Sequence, residues 1–187
     1  MFIDFLTLML INMTAGLFIL AAYLIWGLDD QDQGKWAPAF GTVGLLALAC
    51  GLRMAWTWPL PGSFNCAYGE LSVLFGALFA ATAVAMAKGW NLIPIALYAF
   101  FAGLAAIVTG ARFVDLGMSQ MPVLTGAGFV LTGLGGILAA PALMLRARKI
   151  VRIAGALTMA AAGAIWALTG YGAIWMHLEA FEKWTPK

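Results

Sequence analysis

Two arginines stand at matching places in long apolar runs, closing the strings Gly51-Leu52-Arg53 and Gly110-Ala111-Arg112. A charged side chain at the centre of a bilayer costs about 2.5–3.5 kcal/mol, and less near an interface, so each arginine calls for a partner. Asp115 follows Arg112 by three residues, and Glu70 opens the apolar run after Arg53, where a carboxylate suits the N-terminal end of a helix dipole. These charges are expected to gather as an outward-facing ion-pair cluster. Its chemistry would be electrostatic selection, since guanidinium groups at a mouth favour anions and exclude cations. The alternative for Arg53 and Arg112 is snorkelling to lipid phosphates, and for Glu70 a plain helix cap. Trp56, Trp58, Asn65 and Tyr68 lie between Arg53 and Glu70, beside Pro59, Pro61 and Gly62, which forbid continued helix. The tryptophans suit the headgroup region, and Asn65 and Tyr68 read as loop residues that hold the turn together.

Asn12 lies inside an apolar run beside Thr14, and its expected role is a hydrogen bond between helices. With Thr14, Thr42, Thr109, Thr132 and Thr158 it makes a short list of inward polar candidates, too sparse for a wide aqueous pore. His177 is the single histidine and follows Tyr171 and Trp175 near the end of the last run, an interfacial placement. One histidine cannot supply two axial ligands, and no cluster has metal-ligand spacing, so neither metal nor haem is expected. Cys50 and Cys66 read as two free thiols. No nucleophile-base pair and no phosphate-binding glycine loop is present, so the chain reads as a non-enzyme without a cofactor.

The elements that must position these residues follow from composition. Of 187 residues 64% are apolar and 10% charged, with a mean hydropathy of +0.95. A soluble domain carries about a quarter charged residues, so this is an integral membrane protein. A net charge of +2 gives no argument for a nucleic-acid partner. A span of about 20 residues crosses a core of roughly 30 Å. The charge-free runs predict six transmembrane helices, Phe5 to Trp26, Ala37 to Thr57, Glu70 to Ala87, Asn91 to Phe113, Met121 to Leu145 and Ile150 to His177, forming one domain over residues 1–187. Strand alternation of the kind a β-barrel needs is absent. Lys35, Lys88, Arg146, Arg148, Lys149 and Arg152 fall on one side, expected to be cytoplasmic, which leaves both termini outside. Met1 to Asp4 carries no basic residue, so no signal peptide is expected.

A repeat runs through the helices. Gly51, Gly110 and Gly170 are separated by 59 and 60 residues, and Gly16, Gly76 and Gly135 by 60 and 59. Small residues at such positions let helices approach closely. A period of two spans predicts an all-α protein of three helical hairpins about a pseudo-threefold axis.

The stretch Thr57-Trp58-Pro59-Leu60-Pro61-Gly62-Ser63-Phe64-Asn65-Cys66-Ala67-Tyr68-Gly69-Glu70, with Met9 to Gly16 before it, resembles the bacterial and archaeal membrane family known as domain of unknown function 981. The layout is also similar to the proton-gated urea channels and amidase-linked amide channels, through Leu74-Phe75-Gly76, Gly89-Trp90-Asn91-Leu92-Ile93-Pro94 and Tyr98 to Ala102. That second resemblance implies six helices with outward termini, built from three hairpins and assembled as hexamers with a pore through each protomer. The chain departs from it in the fifth helix, which lacks Trp and Tyr from Thr125 to Ala142, and in the sixth, which has no acid before Glu179. The resemblance therefore carries fold rather than urea selectivity.

The expected function is a passive channel or facilitator for a small polar or weakly ionised solute, of the urea, amide or small carboxylate class. The alternative is a non-catalytic accessory subunit of a larger membrane redox or photosynthetic complex. A quinone or lipid site near Trp56 and Trp58 has no motif behind it. The partners expected are the bilayer of a prokaryotic cytoplasmic membrane and further copies of the chain, or the subunits of such a complex.

Overall fold

The computed structural model describes residues 5–184; Met1 to Asp4, on which the signal-peptide expectation rests, and Lys187 lie outside them. Six long helices follow one another: α1 Phe5–Ala22, α2 Ala37–Thr57, α3 Leu71–Lys88, α4 Ile93–Asp115, α5 Pro122–Met144 and α6 Lys149–Ala180. All six are long and apolar enough to cross a membrane. Proline sits in the first turn of α2, α4 and α5, where its missing N–H is no loss. Gly89 ends α3 with a φ of 66°, the left-handed cap that glycine adopts without strain. The corresponding cap of α2 is Trp58 at φ 48°, a costly conformation for a bulky residue, and its N–H donates to the Met54 carbonyl at 3.0 Å.

Two π-helical turns move the expected boundaries. Tyr23–Gly27 prolongs α1, and Asn65–Glu70 leads into α3, so the third span starts five residues earlier than the charge pattern predicts. Asn65 and Tyr68 are therefore helical rather than loop residues, and Glu70 lies beyond the first turn instead of opening it. The sequence reading failed here because an N-terminus was assigned to the first charge, whereas Pro61 and Gly62 stop the chain only up to Ser63.

The helices form a closed ring in chain order, with α6 returning to α1. The closest pairings are α4 with α5, α2 with α3, and α6 with α1, while the three joins between these pairs are looser. Glycine makes the close pairings possible. A Cβ on Gly76 would stand 2.5 Å from the Leu48 nitrogen and 2.9 Å from the Gly44 carbonyl, and one on Gly110 would stand 2.7 Å from the Gly126 carbonyl. Gly51 faces the Val73 nitrogen at 2.8 Å, and Gly170 meets Leu10 and Ile11 on α1. Gly135 and Gly16 instead accept side chains, of Met159 and of Phe75 and Val43. Gly133, not Gly135, occupies the α5 position that corresponds to Gly76, since it meets the Gly103 carbonyl as Gly76 meets that of Gly44. Gly44, Gly103 and Gly163, again 59 and 60 residues apart, supply a second row of contacts on α2, α4 and α6.

On the side with most basic residues, α1 is tied down by polar contacts. Arg152 of α6 donates to the carbonyls of Leu24, at 2.8 Å, and Ile25, at 2.5 Å, and pairs with Asp29. The Tyr23 hydroxyl donates to Gln33 at 2.8 Å, and Gln33 donates in turn to the carbonyls of Gly27 and Asp30. Asp30 receives Lys35 at 2.8 Å and the Trp36 indole N–H at 2.8 Å, and both hold its carboxyl below the usual carboxylate range.

Candidate functional site

The ring encloses a cavity of about 400 Å³ that reaches from the basic side to the middle of the molecule. Every helix contributes to its wall: Leu17 and Tyr23 from α1 and its π turn, Phe40 from α2, Phe75 and Phe79 from α3, Ala99 and Gly103 from α4, Gly136 and Ala139 from α5, and Met159 from α6. No charged side chain lines it; hydroxyls of Tyr23, Thr82, Thr132 and Thr158 are its polar features. Thr132 donates to its own helix at the Gly128 carbonyl, 2.7 Å away, and accepts the Trp166 indole N–H at 3.0 Å. Thr158 donates to the Ala154 carbonyl at 2.9 Å. With their hydrogens so committed, the walls hold water poorly.

Met13, Leu71, Phe129 and Trp166 bound the cavity at its inner end and also border a second void of about 20 Å³, room for one water, which Tyr68 and Ser72 help to line. They belong to an aromatic plug. Phe129 lies with its ring centre 4.9 Å from that of Trp166 and 5.1 Å from that of Phe113. The Tyr68 ring stands 5.6 Å from both Phe113 and Phe129, and Phe64 packs on Tyr68 and Phe113. Phe113 and Trp166 are almost inaccessible. The π turn at Asn65–Glu70 sets the Tyr68 ring in this cluster, and π turns recur at functional positions in helices. Asn65, itself fully buried, clamps the adjoining loop: its carbonyl accepts the Leu60 N–H at 2.9 Å, and its amide donates to the carbonyls of Leu60 and Gly62.

The charged residues singled out from the sequence do not enter this conduit. Arg112 pairs with Asp115 on its own helix, both exposed, and among the described residues Arg53 and Glu70 form no ion pair. Arg53 and Glu70 are exposed, and among the described residues no ion pair joins them to Arg112 and Asp115 into the expected four-charge cluster. The reason is rotational: Gly51 and Met54 turn inward toward α3, which leaves Arg53 exposed. Trp56 and Trp58 are exposed at the end of α2, and Asn12 donates to the Val43 carbonyl of α2 at 2.9 Å, joining two helices. His177 meets Thr7 at 3.2 Å and Phe181, linking the end of α6 to the start of α1. Thr14, Thr42 and Thr109 each donate to a carbonyl of their own helix. Cys50 is buried and Cys66 exposed, and both are free.

The sequence reading did not single out Tyr23, Phe113, Phe129 or Trp166. Their signal was present only as aromatic residues among small ones, and their meeting depends on how the helices are rotated within the ring.

The chain belongs to the DUF981 family of proteins of unknown function, which matches residues 1–180. No curated protein matches it by sequence. Among solved structures, the Helicobacter pylori urea channel in its closed state is similar, with a TM-score of 0.67 and 18% identity over 96% of this chain and 100% of that one. At that identity the likeness establishes a common fold.

Proposed function

We propose that this protein is a passive membrane channel or facilitator for a small polar solute, with the conduit running along the axis of the helix ring of each chain. The observation that carries the proposal is the axial cavity of about 400 Å³, interrupted by the plug of Tyr68, Phe113, Phe129 and Trp166. A wide apolar vestibule and one aromatic constriction suit a gate that excludes water and ions by dewetting. The uncharged wall favours neutral solutes of the urea and amide class over small carboxylates. The shared fold with a urea channel supports the same reading.

Three further parts belong to the proposal. The alternation of close and loose pairings around the ring supports three hairpins related by a pseudo-threefold axis, with α6 and α1 forming the third pair across the termini. The basic residues at the α1–α2, α3–α4 and α5–α6 connections support a cytoplasmic position for that side. Homo-oligomers, hexamers if assembly follows the urea and amide channel family, complete the arrangement.

Flux into proteoliposomes tests it, with urea, acetamide and formate as solutes and light scattering as the readout. The wild type is expected to pass urea or acetamide faster than empty liposomes, and Phe129→Leu to raise that flux several-fold. Flux equal to that of empty liposomes in both proteins, for all three solutes, overturns the proposal. A native mass that shows a fixed heteromer with redox subunits overturns it as well and makes the chain an accessory subunit.

A further inference from the structure

The cavity is not sealed from the side. Leu138 and Pro141 of α5 and Ala154 of α6 line it and are exposed. Helices α5 and α6 touch closely at Gly128 with Trp166 and at Gly135 with Met159, both toward the plug. Beyond those contacts the facing residues are small or short, Ala139 and Ala142 against Val151, Ala154, Gly155 and Thr158, and the wall opens between the two helices. This opening lies within segments that are apolar enough to be at bilayer depth.

A second, independent feature stands at the same place. The connection from α5 to α6 carries Arg146, Arg148 and Lys149, all exposed. Among the described residues none of the three forms an ion pair, whereas Arg152 is committed to α1 and Asp29. Leu143 and Val151, which line the cavity, stand three residues before Arg146 and two after Lys149. A cationic rim is thus set directly over a lateral entrance to an apolar chamber.

We propose that this is a lipid site: one acyl chain of an anionic phospholipid enters the cavity between α5 and α6, while its phosphate is held by Arg146, Arg148 and Lys149. Each half of the lipid meets its own chemistry, since basic pockets between helices bind anionic headgroups and an apolar chamber gains from every methylene it takes up. An acyl chain also suits a wall with few polar groups. The site stands independently of the channel reading. If that reading holds, the tail lies in the conduit and competes with the solute.

The test reconstitutes the full-length protein in phosphatidylcholine vesicles doped with phosphatidylglycerol whose acyl chains are brominated, and reads quenching of tryptophan fluorescence. Trp166 lines the cavity and is shielded from the surrounding bilayer, so the quenching that disappears in Trp166→Phe reports a chain inside the cavity. We expect that component in the wild type, a shift to at least tenfold higher phosphatidylglycerol in R146Q/R148Q/K149Q, and its loss in Ala154→Phe, which narrows the entrance. Helicity and elution as a single species show that each variant folds. Equal quenching of wild type and Trp166→Phe overturns the insertion of a chain. Equal quenching by brominated phosphatidylcholine and phosphatidylglycerol overturns the headgroup assignment.

Discussion

Asn65 shows how one polar side chain can fix a loop and a gate together. Its amide satisfies three backbone groups of Leu60 and Gly62, and Tyr68, one turn later, carries the ring that completes the plug. Asn65→Ala removes these bonds from a half-buried loop and leaves the Leu60 N–H and carbonyl without this partner, at a cost of about 1–2 kcal/mol. It should lower the thermal midpoint in detergent and expose the plug, read as increased quenching of Trp166 by a water-soluble quencher. Asp30 gives a residue-scale pH dependence. Its carboxyl is held below the usual range by Lys35 and Trp36, so the contribution is present above the ordinary carboxylate pKa of about 4 and is lost as pH falls through the lowered folded value. Hydrogen exchange at Gly34 to Trp36 should therefore quicken in strong acid in the wild type, beyond the intrinsic change, and show no such extra step in Asp30→Asn. By contrast, the Arg112–Asp115 pair is exposed at both ends, and its loss should be close to neutral.

At the scale of helices, small residues decide how near two axes come. A Cβ at Gly103 would press on the Gly133 carbonyl and lie 2.9 Å from the Ile137 nitrogen, and neither backbone atom can swing away. Gly103→Ala is expected to separate α4 from α5 and cost about 1–3 kcal/mol, as overpacking does. Gly172 on α6 has nothing within 4 Å of its added Cβ. Gly172→Ala should be neutral or stabilising by about 0.5–1 kcal/mol through the lower entropy of alanine in the unfolded chain. Unfolding midpoints of the two variants under one denaturant series separate packing from propensity. If both move the same way, the close approach of α4 and α5 is not what glycine serves there.

For the whole molecule, the critical join is the one that no loop makes. Helix α6 meets α1 across the ends of the chain, through Gly163 and Gly170 along their length and through Arg152 on the basic side. Arg152 takes up carbonyls at Leu24 and Ile25, beside the π turn, and it is mostly buried. Arg152→Gln should cost about 2 kcal/mol, with Arg152→Lys recovering only part because an ammonium lacks the planar fork. The measurement is limited proteolysis of the connection between α1 and α2, which should become faster than in the wild type while the α2–α3 connection stays protected. Equal cleavage at both connections would mean that the ring does not depend on this closure.

Charge-free run lengths by themselves determined six membrane-length helices, because no water is available at bilayer depth and each span must satisfy its own backbone. The second span was legible residue for residue at Ala37 and Thr57, where proline and the Trp-Pro sequence mark the ends. The series Gly51, Gly110 and Gly170 falls on close contacts between helices, whereas in the other series Gly135 yields its place to Gly133, because spacing alone does not say which of two nearby glycines faces a backbone. The start of the third span was not legible, as a π turn has no signature in charge or hydropathy. Nor was the site. Helix rotation within the ring left Arg53 and Glu70 exposed and brought Phe113, Phe129 and Trp166 together from three helices. In a chain whose faces are apolar all round, hydrophobic periodicity cannot fix that rotation, and only the packing of glycine against backbone and ring against ring decided it.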